Sequence, residues 1–429
     1  MRRALRLLLA ACLSVLAALS GGCSSGDGTP VVVLGPWTGP EGAAFESVLH
    51  DLSRGSGYTY VYKGTRSLRE TLVAQLAADA PPDVAILNSI GELTEYAVRN
   101  KLKPLDPSTA ERAYPPWSPT LMIDGRRRTY WVPLKVDLKS LVWSRSGTSG
   151  SDPEWCVGMA AQATSGWPGT DWVEDILLHQ AGPATYTQWA TGRLDWATSP
   201  EVKRAFTTWA QLLEKGGPSS RSAVERSLTM SFWGTPDPER PGGDPRGLLG
   251  GSLPGCTHEH QGSFVRFVYA PRDDIRVEPA RRFLKGSAAY RNTFEVSGDM
   301  AAVLTDSPGA QELVKRLTDE DGREQWSRAA RPQLRPFFPD GSDPRPDDTT
   351  AAQEIASYLV DDGNTLCFDA SDVMPPVLRD AFYRAVLEYF RSPDDATLRK
   401  LLAQLDTVRT RIAGTATPEG IRAPTDICR

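Results

Sequence analysis

The stretch Thr164-Ser-Gly-Trp-Pro-Gly-Thr-Asp-Trp172, continued as Val173-Glu-Asp-Ile-Leu-Leu-His-Gln-Ala-Gly182, decides how the chain is read. Its second half predicts a helix: Val173, Ile176 and Leu177 recur at helical spacing, Asp171 and Glu174 stand as a capping box, and Gly182 closes it. Its first half predicts irregular backbone, because Gly166, Pro168 and Gly169 interrupt any hydrogen-bonded ladder. That loop holds two indoles, Trp167 and Trp172, beside the positive end of a helix. Large aromatic faces next to free backbone amides and a carboxylate suit a neutral, hydroxyl-rich ligand. The other reading is that both tryptophans staple the helix to a core.

On the N-terminal side lies Tyr130-Trp-Val-Pro-Leu-Lys-Val-Asp-Leu-Lys-Ser-Leu-Val-Trp143. Lys135, Asp137 and Lys139 alternate with Val136 and Leu138, so the three charges share one face of an extended segment. At ~3.3 Å per residue, Lys135 and Lys139 stand roughly 13 Å apart. Apolar and aromatic runs flank them, so this face is expected to line a cleft, as in a crossover strand between two lobes. Further back, Val31–Leu34, Tyr58–Tyr62 and Asp83–Leu87 read as strands. They alternate with helices, one burying Phe45, Val48, Leu49 and Leu52, one capped by Ser67 with Glu70, one by Ser89 with Glu92. Such alternation predicts a parallel α/β lobe that binds at the carboxyl ends of its strands, where Trp37, Glu41, Asn88 and Ser89 fall.

On the C-terminal side, a helix is expected from Ser199-Pro200 to Gly216-Gly217, and the Pro- and Gly-rich residues 234–255 read as a surface loop. Cys256, His258, Glu259 and His260 are crowded without a distant pair to complete a tetrahedron, so no metal is expected there. Residues 295–304 read as a strand with a glycine break, followed by helices through Leu317 and Trp326. A Pro/Asp-rich loop spans 331–350, and helices near 351–361 and through Phe382 and Leu402 end the chain.

Arg2, Arg3 and Arg6 precede an apolar run, Leu7–Leu19, too short to span a bilayer as a mature helix, and small residues lead to Cys23. This is an export signal over residues 1–22; Leu19-Ser-Gly-Gly-Cys23 resembles a lipobox, and residues 23–30 form a lipid-anchored tether. From Cys23 onward there are 45 basic and 53 acidic residues, a formal charge of −8, which disfavours nucleic acid and anionic surfaces as partners. More than 400 residues exceed what one core usually serves. Cys156, Cys256, Cys367 and Cys428 form an even set in an exported chain, and three pairings are possible.

Taken together, Pro82–Leu87, Leu134–Trp143, Gly166–Asp175, Gly255-Cys256 with His260–Phe264, Ser297–Ala301 and Phe368–Pro375 resemble, in that order, the lipid-anchored extracellular solute-binding proteins of sugar-importing ABC transporters, the maltose-binding-protein-like group. The resemblance implies an α/β, two-lobe periplasmic-binding-protein-like fold (type II), each lobe a mixed sheet flanked by helices, with the ligand cleft between them. The layout expected is lobe 1 over 31–135, lobe 2 over 136–295, a return to lobe 1 over 296–330, and C-terminal helices over 351–429, mainly lobe 2. Crossings are expected near Pro133–Lys139 and Phe294–Met300. Carried onto this sequence, the cleft residues are Trp37, Glu41, Asn88, Lys135, Asp137, Lys139, Trp167, Thr170, Asp171, Trp172, Ser297, Asp299 and Tyr383. Within that layout the expected disulfides are Cys156–Cys256, stapling the second lobe, and Cys367–Cys428, tying down the tail.

The implied function is capture of a carbohydrate, an oligosaccharide or α-glucoside-type sugar, and its delivery to ABC permease subunits at the outer face of the membrane. A monomer without cofactor or metal is expected. A glycosidase is the rival from another class, since Asp171, Glu174, Asp175 and Asp299 offer carboxylates. Asp171 and Glu174 already have work as helix caps, so no enzyme activity is expected. A transporter-independent sensor on the same fold is the third reading.

Overall fold

The chain is described by a computed structural model over residues 30–148, 152–237, 244–269, 274–341, 348–415, 424 and 426–429. The expected signal and most of the tether lie outside these residues. Strands β1 (Val31–Gly35), β2 (Tyr60–Gly64) and β3 (Val84–Leu87) are parallel and alternate with helices Gly39–Ser53 and Leu68–Ala77. A hairpin, β4 (Leu121–Ile123) and β5 (Arg126–Arg128), precedes β6 (Trp131–Leu138). Immediately after β6 the chain changes sheets: β7 (Leu141–Arg145) is the centre of an antiparallel three-stranded sheet with β8 (His258–His260) and β9 (Ile275–Pro279). It returns in β10 (Thr293–Val303), whose first half pairs in parallel with β11 (Thr365–Phe368) and whose second half pairs antiparallel with β3. β6 runs antiparallel along β10, and the register shifts between Asp299 and Met300, where a glycine break was expected. The first sheet, in the order β11-β10-β3-β1-β2 with β6 on β10, is therefore mixed, and it is joined to the second through the β6–β7 junction and β10.

The first lobe's core packs Val31, Val33, Phe45, Val48 and Leu49 against Leu313, Val314 and Trp326, the apolar stripes of helices Gly39–Ser53, Pro308–Thr318 and Glu320–Ala329. The larger core, under helices Pro200–Gly216, Pro376–Arg391 and Asp395–Thr415, is rich in rings: Trp189, Trp196, Phe206 and Phe382 meet mostly edge to face. Ser89 and Ser199 cap their helices as their positions predict, accepting from Glu92 N and Val202 N. Ser67 precedes its helix, but its side chain makes no cap hydrogen bond. Both expected disulfides are present, Cys156–Cys256 and Cys367–Cys428.

Two local expectations are corrected. Trp167-Pro-Gly is not a loop: the helix begins at Trp167 and runs to Ala190, with Gly166 as its N-cap at φ 110° and a kink at Gly182, φ 79°. Pro168 falls in the first turn, where a missing N–H costs nothing, and a Cβ on Gly166 would sit 2.4 Å from the Tyr383 carbonyl oxygen. Asp171 and Glu174 are thus inside this helix and do not cap it. Nor is 234–255 wholly a surface loop, for Leu248 and Leu249 are buried and the Arg145 guanidinium donates to the Leu249 carbonyl. Residues 238–243 lie outside the described ones; elsewhere in the segment glycines at positive φ, such as Gly234 and Gly247, bend the chain, and Leu248, Leu249 and Leu253 fill the second core.

Candidate functional site

Between the two sheets lies a cleft of about 1040 Å³. β6 delivers Lys135 and Asp137 to it, and the β6–β7 junction delivers Lys139. Each expected charge has its own partners. Lys135 Nζ is 2.6 Å from Glu41 Oε1 and 3.4 Å from Asp299 Oδ2, and lies 5.3 Å above the Trp37 ring. Burial alone would lower the Lys135 pKa, but the Glu41 and Asp299 carboxylates raise it. Trp37 Nε1 donates to Asp299 at 3.0 Å, so this indole is largely embedded in the first lobe's core and holds the Lys135 cluster in place. Asp137 accepts from Ser263 Oγ at 2.6 Å; burial raises its pKa.

Lys139 is the buried centre of the opposite wall. Its Nζ is 2.6 Å from Asp171 Oδ2 and 3.2 Å from Asp369 Oδ2, and 4.8 Å from the Trp167 ring centroid. Trp167 meets Phe232 and Phe264 edge to face at 4.7 and 5.8 Å, and Trp233 packs on Phe232, Phe264 and Phe267. These rings form a continuous aromatic wall along the cleft.

The helix Trp167–Ala190 places Asp171, Glu174 and Asp175 at i, i+3 and i+4, all buried on one face. Asp175 accepts from Ser140 Oγ at 2.6 Å and lies 2.8 Å from His260 Nε2 and 3.0 Å from His179 Nδ1, while Ser140 Oγ accepts from Glu295 N. One carboxylate thereby ties the helix to the β6–β7 junction and, through Ser140, to β10. Burial pushes Asp171 up to about 7 against the pull of Lys139, and raises Glu174 and Glu295 as well. Asp369 goes the other way: against the effect of burial, Lys139 holds it below the usual carboxylate range.

Of the expected cleft residues, Trp37, Glu41, Asn88, Lys135, Asp137, Lys139, Trp167, Asp171, Ser297, Asp299 and Tyr383 line the cavity. Asn88 spends a side-chain N–H on Asp372 at 3.0 Å. Thr170 and Trp172 do not line it. Thr170 is fully buried and donates to the Trp167 carbonyl, and Trp172 packs against Trp155 and His260 in the core. The helix that begins at Trp167 turns their side chains away from Trp167. Phe232, Trp233, Phe264 and Phe267 were missed; the doublet Phe232-Trp233 beside the supposed surface loop was the available signal. Arg69 was missed as well, an ion pair to Asp380 at 2.9 Å that links helices Leu68–Ala77 and Pro376–Arg391. The Cys256–His260 cluster disperses: Cys256 is in a disulfide, His258 meets Thr257, Glu259 accepts from Tyr269 and His260 serves Asp175.

Residues 58–234 match the family model described as bacterial extracellular solute-binding protein. The chain is 26% identical over 400 residues to the alpha-glucosides-binding periplasmic protein AglE of Rhizobium meliloti, a match covering 84% of this chain and 83% of the relative. In both comparisons the chain is similar to the extracellular solute-binding proteins. A further relative of similar sequence is the osmoprotective compounds-binding protein GgtB of Synechocystis, 26% identical over 401 residues, covering 86% of this chain and 90% of that one. The solute-binding fold is shared with the bacterial solute receptor AcbH, at TM-score 0.65 and 12% identity over 89% of this chain and 99% of that one. It is shared also with RafE in complex with raffinose, at TM-score 0.60 and 11% identity over 89% of this chain and 100% of the other. Like them, this chain has two lobes around a cleft, here with one wall of rings and fixed ion pairs on both sides. No helix among the described residues is long and apolar enough to cross a membrane.

Proposed function

We propose that this protein captures a neutral carbohydrate, an oligosaccharide or α-glucoside-type sugar, and delivers it to the permease subunits of an ABC importer. The observation that carries this reading is the pairing of an aromatic wall, Trp167 with Phe232, Trp233 and Phe264, with carboxylates and ammonium groups already held by one another. Sugar C–H faces stack on rings, and hydroxyls bridge fixed donors and acceptors without requiring a net charge. At about 1040 Å³ the cleft is at or above the upper end of ordinary small-molecule sites of about 300–1,000 Å³, which favours more than one sugar unit. The relatives named for alpha-glucosides and raffinose support the same ligand class. The reading as a binding protein and not a glycosidase is supported by Asp171, whose carboxylate is taken up by Lys139. A glycosidase instead sets two carboxyl groups on either side of the scissile bond.

Titration calorimetry over α-glucosides and raffinose-type sugars tests the proposal. Contacts of this kind, less the entropy of association, leave roughly −8 kcal/mol, a dissociation constant of order micromolar. Trp167→Ala is expected to weaken binding about tenfold or more, near 1.4 kcal/mol, with the melting temperature little changed. Unaltered affinity in Trp167→Ala would remove the aromatic wall from the site.

The protein acts, in this reading, as a monomer held to the outer membrane face by lipid on Cys23. The apolar run before Cys23 and the Ser/Gly tether after it support the anchor. In detergent phase partition, Cys23→Ala should move the protein from the detergent to the aqueous phase; unchanged partition refutes the anchor.

A further inference from the structure

Asp171 on the central helix, Glu295 on β10 and Asp369 just after β11 each offer a carboxylate oxygen within 4.8 Å of the other two, and all three are buried. Glu295 is fully buried, yet neither of its carboxylate oxygens has a hydrogen-bond partner among the described residues. Asp171 Oδ1 is bare in the same way among the described residues. Lys139 is the ammonium that contacts the group, and it does so on Asp171 and Asp369, leaving Glu295 without an ion pair among the described residues. Buried carboxylate oxygens are ordinarily satisfied by donors or by a cation, and four acids here share one close ammonium.

We propose that Asp171, Glu295 and Asp369 form a binding site for a divalent cation, calcium in preference to magnesium. The donor set is hard oxygen throughout, since the nearby imidazoles His179 and His260 are committed to Asp175. Calcium bonds of about 2.3–2.6 Å bridge oxygens up to about 5 Å apart, which spans the observed separations. Magnesium, at about 2.0–2.1 Å, requires a tighter octahedron and retains several waters, which a buried site disfavours. The ion would add two positive charges to a group of four acids and one ammonium, bringing it close to neutral without displacing Lys139. It would also tie together three segments far apart in sequence: the central helix, β10 and the stretch after β11. No spaced ligand motif announces such a site, because its donors come from three elements that only the fold assembles.

The test uses the mature chain stripped with EDTA, without added sugar, so its outcome is independent of which solute the cleft takes. Calorimetric titration with calcium chloride at pH 7.5 should show one site per chain, calcium should raise the melting temperature by several degrees, and magnesium should do markedly less. Glu295→Gln keeps the side-chain volume and should abolish both responses. Terbium luminescence sensitised by tryptophan, competed away by calcium, provides a readout on the wild type that does not depend on the variant folding. Absence of calcium heat, melting shift and terbium signal in the wild type overturns the proposal, and protons are then the neutralising species. A calcium response retained in folded Glu295→Gln also overturns it, by placing the ion elsewhere; an equal magnesium response refutes the calcium preference.

Discussion

Lys139→Met is expected to lose roughly 3–5 kcal/mol of stability at pH 8, because it leaves the buried Asp171 and Asp369 carboxylates without their ammonium partner. Methionine keeps the length and apolar stem of lysine, so the loss reads the charge and not a cavity. The defect should shrink as the pH is lowered toward 5, since protonated carboxyls no longer need a counter-charge. The wild type carries a weaker form of the same dependence. Asp171 is raised to about 7 by burial, and Glu174 and Glu295 are raised too, so between about pH 4 and 7 the folded chain binds more protons than the unfolded one. Stability therefore falls as pH rises through that window. Asp175 and Asp369 have the opposite sign, lowered in the folded state, and their contribution is lost only as pH falls through their folded values. Urea unfolding of both proteins at pH 5.5 and 8 measures this; a Lys139→Met chain as stable as the wild type at pH 8 would show that the carboxylates are neutralised by other means.

Opening the Cys156–Cys256 bond by a double serine substitution is expected to lose up to ~4.7 kcal/mol, the chain-entropy figure for a loop of about 100 residues, and the bond spans 100 positions. Cys156 is buried beside the second sheet, and Cys256 lies two residues before β8, so the crosslink holds β8 to the segment leading into the central helix. The Cys367–Cys428 bond closes a shorter interval of 61 positions and should contribute slightly less. It docks the tail as an extra antiparallel bridge on β11, where Phe368 N donates to the Ile427 carbonyl. Thermal unfolding with and without reductant measures both effects. A double-serine chain that melts with the parent under oxidising conditions would show that the loop is already constrained in the unfolded state.

Much of the fold was legible before any tertiary contact was known. The helix burying Phe45, Val48 and Leu49, the helix opened by Ser199-Pro200 and the short apolar strands announce themselves by period and by end signals, which act within a few residues. The charged alternation Lys135-Val-Asp-Leu-Lys139 likewise pointed to the cleft, because a strand's two faces are set by local geometry. The central helix was misplaced at its start for an equally local reason. Proline and glycine read as breakers, yet a first-turn proline is tolerated and Gly166 is needed against Tyr383, a contact that only tertiary packing supplies.

By itself the sequence determined the alternation of strands and helices and the charged crossover, both consequences of side-chain period and local backbone preference. Tertiary structure alone decided which acids are buried together. Lys139, Asp171, Glu295 and Asp369 come from the β6–β7 junction, a helix, β10 and the segment after β11, and no spacing in the chain records that they meet. The same holds for Trp167 and Trp172, five residues apart and alike in sequence context. One faces the cleft beside Lys139 and the other lies against Trp155 in the core, because a helix rotates about 100° per residue and only one of them can face the cavity.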